Sequence, residues 1–252
     1  MEFSIRSLAP EKAKTGCLVL GIHKQGAAKG GARPALVPAR AAQLADRAAQ
    51  GALRRVLAQG DLSGKAGSTL LLQRVPGLAA ERVLLVGLGE RKEFGAAAFR
   101  DALRGAAGAL KEIAARDATL FVADFAVGGR NLPWTVRNAV LGVRDAFYRF
   151  DQLKTQQKPA APALAGMTLA IAGAPATIQA QAALREAVAT ADGVELARTL
   201  GNLPANVCTP AYLAEEARKL GRRFKVGVQV LERRDMEKLG MGALLSVTRG
   251  SH

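Results

Sequence analysis

Short apolar runs alternate along the chain with longer alanine-rich segments, and this alternation predicts the secondary structure. The apolar runs have the length and the bounding residues of buried strands. They cover Phe3 to Leu8, Cys17 to Ile22, Ser68 to Val75, Arg82 to Leu88, Thr119 to Phe125 and Met167 to Ala172. The alanine-rich segments show helical spacing over Ala41 to Ala58, Ala96 to Ala115 and Pro133 to Phe150. Strands that alternate with helices predict an α/β layered domain with a largely parallel sheet.

Asp151 to Gly166 lacks periodicity and is typical of an exposed loop or linker, and the strand predicted over Met167 to Ala172 follows it. The second region of the chain begins after that strand. A long helix over Ala176 to Leu200 follows, and then a helix over Leu213 to Leu220. Strands are predicted over Val226 to Leu231 and Ala243 to Val247. Because only about 50 residues remain after the long helix, fewer than the ~100 typical of a domain, we expect the chain to be a fragment of a longer protein.

The segment between the long helix and the next one carries strong local signals. Gly201 and Asn202 can adopt the positive φ that ends a helix, and Pro204 prevents its continuation. Thr209 followed by Pro210 is typical of an N-cap with proline at the first helical position. The sequence therefore predicts a rigid joint between two helices.

The composition indicates a globular protein with a small-residue core and a basic surface. Hydrophobic residues make up 49% of the chain but aromatic residues only 4%, so the core is built from alanine, leucine and valine. The net charge of +15 favours polyanions such as nucleic acid. The basic residues are scattered and lack interleaved aromatics, so solvated helix faces are the simpler interpretation.

The cysteines and the apolar runs indicate the cellular compartment of the protein. Cys17 and Cys208 lie far apart and form neither a disulfide framework nor a metal pair, which fits a reducing cytoplasm. No apolar run approaches the roughly 20 residues of a membrane span, and residues 1–6 contain no signal-peptide core. We expect a cytoplasmic protein without a membrane partner.

Two glycine-containing motifs resemble phosphate-binding loops only weakly. Gly87 and Gly89 follow an apolar strand, and their backbone N–H groups could hold a phosphate. A dinucleotide fingerprint needs a third glycine where Lys92 stands, so a tight strand-to-helix turn is the favoured interpretation. Gly64-Lys65 lacks the rest of a Walker loop.

Metal and nucleophile chemistry lack recognisable motifs. His23 follows an apolar strand and is interpreted as a surface residue, and His252 is terminal. Acidic residues one helical turn apart are usually solvated. Two such pairs occur, Asp192 with Glu195 and Glu232 with Asp235. No catalytic triad is recognisable by spacing. We therefore assign no catalytic, cofactor-binding or metal-binding residue to this chain.

Two stretches of the second region resemble the entry to the catalytic domain of the leucyl aminopeptidases, the cytosol aminopeptidase family. They are Asn202 to Ala214 and Asp235 to Ser251. Arg82 to Glu90 and Val140 to Phe150 resemble the amino-terminal domain of that family, which is similar in fold to macro domains. Ala205 departs from the family, which often has a second proline there.

The resemblance implies a macro-domain-like α/β domain over 1–174, a connecting helix over 175–200 and the truncated start of an α/β metallopeptidase domain over 201–252. It implies a hexameric parent enzyme that uses two divalent ions, Mn²⁺ or Zn²⁺, to release N-terminal residues from peptides. The family's metal ligands would follow Ser251, so none maps onto this chain. We expect the fragment itself to be inactive.

Two alternatives remain open at this point. The amino-terminal domain could act alone as a macro-like ligand-binding module around Gly87 to Gly89. The basic surface could bind DNA, as some bacterial members of the family do, and this is compatible with the enzyme interpretation.

Overall fold

The first of two structural units is built on a sheet of seven strands. The computed structural model describes residues 1–26, 34–155, 164–171 and 178–249, which divide into the units Met1–Glu195 and Leu196–His252. The strands are β1 Glu2–Ser7, β2 Cys17–Gln25, β3 Ala35–Pro38, β4 Thr69–Gln73, β5 Arg82–Glu90, β6 Asp117–Phe121 and β7 Gly166–Ile171. Their order is β1-β7-β6-β2-β5-β4, with β3 paired to the end of β2.

The sheet is largely parallel, as the alternation of elements predicts. Strands β1, β7, β6, β2 and β5 run parallel to their neighbours. The short strand β3 and the strand β4 are antiparallel additions to β2 and β5. The sequence gives little signal for β3, because it is only four residues long.

The described residues of the two units contain eight α-helices. They are α1 Arg40–Ala48, α2 Ala52–Gln59, α3 Ala96–Lys111, α4 Leu132–Phe147, α5 Ile178–Asn202, α6 Pro210–Phe224, α7 Arg233–Lys238 and α8 Gly242–Val247. No helix in the described ranges is long and apolar enough to cross a membrane.

Helices cover both faces of the sheet, so β2 and β5 contribute to two cores. On one face Val19 and Leu84 pack with residues of α3, α4 and the first part of α5. On the other face Leu18 and Leu85 pack with α1 and α2. A strand buried on both sides is apolar at successive positions, which explains the unbroken apolar runs in the sequence.

The helix predicted over Ala41 to Ala58 is in fact two helices, α1 and α2. Gln50 and Gly51 between them have positive φ angles of 51° and 79°. The buried carboxylate of Asp46 accepts a hydrogen bond from the amide of Arg54 at 3.0 Å, which satisfies an amide in the first turn of α2. The break therefore has its own hydrogen-bonded cap.

The second unit consists of helices, and three sequence predictions about it are wrong. Residues 226–231 form no strand, and Ala243 to Val247 lie in α8. Neither Gly201 nor Asn202 has a positive φ, since α5 continues through Asn202.

The predicted start of the next helix is confirmed. The Thr209 hydroxyl accepts a hydrogen bond from the Tyr212 amide at 3.3 Å, and Pro210 occupies the first turn of α6. The predicted linker Asp151 to Gly166 lies partly outside the described residues.

Candidate functional site

The end of β5 at Gly87 and Gly89 is covered by the loop at residues 64–68. The Gly87 amide donates to the Ser68 carbonyl at 2.7 Å, and the Gly89 amide donates to the Gly64 carbonyl at 2.9 Å. A Cβ at residue 87 would collide with the Lys65 carbonyl oxygen and the Ser68 hydroxyl, so only glycine allows this close approach. Both amides are thus occupied, and a phosphate held on them has no support here.

His23 is half-buried in β2, where we expected a surface residue. Its ring meets Phe94 edge-on, with 5.8 Å between centroids. Burial lowers the pKa of the imidazole below its ordinary value, so the ring is neutral at neutral pH. Its Nδ1 atom is buried without a hydrogen-bond partner among the described residues. His252 lies outside the described residues.

Asp124 is a buried carboxylate that caps a helix distant in sequence. Helix α1 follows Ala39, whose side chain cannot cap it. Instead Asp124 Oδ1 accepts from the Ala41 amide at 2.9 Å and Oδ2 accepts from the Ala42 amide at 3.3 Å. Burial nevertheless raises the pKa of Asp124 to about 6, because desolvation outweighs these hydrogen bonds. Asp124 was not singled out from the sequence.

The acidic pairs that we expected to be solvated have structural partners. Arg144 of α4 binds both oxygens of Glu195, at 2.5 and 2.6 Å, and Asp192 at 2.7 Å. The hydrogen bonds to Glu195 raise the already high pKa of Arg144 further. Glu232 and Asp235 form a capping box at the start of α7. Both pairs are therefore used to fix helices.

No constellation of metal ligands is present in the part of the chain that the structure describes. In those ranges no group of three or more His, Cys, Asp or Glu residues is placed to hold an ion. A metal site of a hydrolase needs at least three protein ligands and an open position. The carboxylates that are buried, Asp46 and Asp124, serve helix capping instead.

The two thiols differ in accessibility, which gives a direct test of the fold. Cys17 is fully buried in β2, and burial raises its pKa to about 12, whereas Cys208 is half-exposed. Because the thiolate is the reactive form, iodoacetamide at pH 8 is expected to label Cys208 alone in the native chain. Mass spectrometry should show a second adduct only in denaturant. Rapid labelling of Cys17 in the native chain would contradict the placement of β2.

Comparison with known families matches both units. Residues 19–157 match the N-terminal domain of the cytosol aminopeptidase family, and residues 195–252 match its catalytic domain. Probable cytosol aminopeptidases of Dechloromonas aromatica, Nitrosospira multiformis and an Azoarcus species are 42%, 44% and 45% identical over the whole of this chain. The chain spans about half the length of these relatives, 47–49% of each.

Two solved structures are similar in fold to this chain. A tomato leucine aminopeptidase mutant superposes over 100% of this chain and 48% of its own, with a TM-score of 0.76 at 24% identity, and thereby shows the fold. The bottromycin maturation enzyme BotP has a TM-score of 0.66 at 27% identity over 94% of this chain and 44% of its own. The mixed sheet and the capped joint at Thr209 agree with these matches. The chain belongs to the cytosol aminopeptidase family.

Proposed function

We propose that this chain supplies the amino-terminal domain, the connecting helix and the first part of the catalytic domain of a metal-dependent aminopeptidase that releases N-terminal residues, leucine among them, from peptides. The observation that carries the proposal is the match of residues 195–252 to the beginning of the family's catalytic domain. The match of the preceding unit to the family's N-terminal domain supports it.

The residues that the structure describes do not fit the role of a metal site. The described ranges contain no cluster of three potential ligands, and the carboxylates of Asp192, Glu195 and Asp124 are engaged by Arg144 or by helix amides. We therefore propose that the two divalent ions, Mn²⁺ or Zn²⁺, bind residues of the catalytic domain outside this chain. A BotP structure in complex with Mn, similar to this chain with a TM-score of 0.56, supports a metal-dependent parent.

Two further properties belong to the same proposal. We propose that the parent enzyme is a cytoplasmic homohexamer, which the family resemblance supports. We propose DNA as a second partner, which the net charge of +15 supports. We also propose that the chain divides into an amino-terminal domain over 1–174, a connecting helix over 175–200 and the start of the catalytic domain over 201–252.

The proposal predicts that the 252-residue chain alone is inactive. With Mn²⁺ or Zn²⁺ added, it is expected to release no product from leucine anilide, because the ligands are missing. Joined at residue 252 to the carboxyl-terminal half of the Dechloromonas aromatica relative, it is expected to gain turnover that a chelator abolishes. That half alone is the matched control. Chelator-sensitive turnover by the 252-residue chain itself would place the metal site within these residues and overturn the proposal.

A further inference from the structure

The carboxyl ends of β2 and β5 lie at a crevice created by the topology. The two strands are parallel neighbours. The chain that leaves β2 first returns as β3 and then forms α1 and α2 on one face of the sheet, whereas the chain that leaves β5 forms α3 on the other face. In open α/β sheets, connections that diverge in this way leave a crevice at the carboxyl ends of the strands, where ligands bind.

A cavity of about 720 Å³ lies beside this crevice, between the end of β2, the strand β3, the helix α2 and residues 60–65. Leu36, Leu57 and Leu62 give it an apolar wall, while Lys24 and Lys65 bring positive charge to it. Its volume lies within the roughly 300–1,000 Å³ of small-molecule sites, which combine apolar walls with a few polar groups.

A second cavity of about 250 Å³ lies toward α3, and it shares Lys24 and Lys65 with the first. The two lysines therefore stand where the cavities meet. Lys65 is held there by its own turn, since its carbonyl accepts from the Ser68 amide at 3.0 Å and from the Ser68 hydroxyl at 2.7 Å.

The charge of Lys65 is uncompensated in the described ranges, whereas Lys24 is paired with Glu90, which lines the smaller cavity together with Glu93. Within the described ranges no carboxylate lies within 4.0 Å of the Lys65 ammonium, and the Glu90 carboxylate lies 3.9 Å from the Lys24 ammonium. Arg54, the third cation at the larger cavity, is paired with Asp46 at 3.0 Å. No acidic residue lines the larger cavity in the described ranges. An anion placed between Lys24 and Lys65 would gain two charge-assisted contacts.

We propose that the two adjoining cavities bind a small molecule that joins a flat aromatic ring to a phosphate group, as a nucleoside monophosphate does. The ring occupies the larger cavity against the leucine wall. The phosphate lies between Lys24 and Lys65, and the amides of Gly87 and Gly89 take no part because they are bonded to the loop. The inference goes beyond the proposed enzyme activity and does not depend on it.

Calorimetry on the full 252-residue chain with AMP, adenosine and inorganic phosphate as probes tests the inference. AMP is expected to bind with a micromolar Kd, and adenosine and phosphate each at least about tenfold more weakly, because each retains only one part of the interaction. Absence of AMP binding at millimolar concentration would overturn the inference. Phosphate binding as tight as that of AMP would overturn it as well, since the apolar cavity would then contribute nothing.

Variants locate the binding within the crevice. Lys65→Glu is expected to raise the Kd of AMP more than about tenfold, whereas the matched control Lys14→Glu, at an exposed lysine that lines neither cavity, leaves it unchanged. Ala58→Trp, at an exposed residue of the larger cavity, fills space without a change of charge and is expected to abolish AMP binding. AMP binding that survives both Lys65→Glu and Ala58→Trp would place the ligand elsewhere and refute the assignment.

Discussion

The backbone amides of α6, α7 and α8 are expected to exchange with deuterium on the order of a thousandfold faster than those of β2 and β5. Among the described residues of the second unit only Leu203 and Gly221 are buried. Large apolar side chains stay in water there, with Phe224 59% and Val247 82% exposed. Helices without a buried face gain little from packing and open frequently.

Hydrogen exchange with mass spectrometry on the whole chain measures this difference. Helix α3 is a suitable internal control, because it is of similar length to α6, with 16 residues against 15, but buries six of them. Slow exchange is expected for α3 and fast exchange for α6. Equal protection of the two helices would show that the second unit is stabilised by packing that its exposed residues do not reveal.

Removal of the Asp124 carboxylate is expected to destabilise the first unit strongly. In Asp124→Ala the buried amides of Ala41 and Ala42 lose their acceptors, which costs roughly 1–3 kcal/mol each, so we expect a loss of about 3 kcal/mol. Asp124→Asn keeps one acceptor oxygen and should lose about 1 kcal/mol. Urea unfolding followed by circular dichroism measures both variants. The exposed Asp61→Ala is the matched control, and equal stability of Asp61→Ala and Asp124→Ala would contradict the capping role.

The same carboxylate gives the stability a pH dependence of known sign. Its pKa rises from 3.8 to about 6 on folding, so the folded state holds the proton more tightly between these values. The stabilisation of the folded state by this tighter proton binding is complete below pH 3.8 and is lost as the pH rises through about 6. The loss of this stabilisation between pH 5 and pH 7.5 should lower the free energy of unfolding by about 1 kcal/mol. The wild-type change minus the Asp124→Asn change isolates this contribution, and a difference of zero or opposite sign would contradict it.

Local signals in the sequence were sufficient for the long strands of the first unit and for the start of α6. The apolar runs at Cys17 to Ile22 and Arg82 to Leu88 identify β2 and β5, because strands covered on both faces need apolar residues at successive positions. Thr209 and Pro210 identify the start of α6, because capping depends on residues three positions apart. Each of these features can be recognised within a few residues.

Features that depend on distant partners could not be predicted. Asp124 caps a helix 83 residues earlier in the chain, and no spacing rule connects it to Ala41. Arg144 meets Glu195 across 51 residues, so the acidic pair resembled a solvated face. Val226 to Leu231 has apolar residues suited to a strand, but a strand also needs a neighbour with which to share hydrogen bonds. The described second unit has no such neighbour.

The Arg144 ion pairs have a consequence for how unfolding spreads along α5. This helix of 25 residues belongs to both units, and Glu195 is the last residue of the first. Helices fray from their ends, so opening of α6 to α8 would tend to unwind α5 backward. Arg144 anchors Asp192 and Glu195 to α4 at that boundary. These ion pairs oppose unwinding toward Ala180, Ala183 and Ala187, the α5 residues buried in the core of the first unit. The first unit can thus outlast the melting of the second.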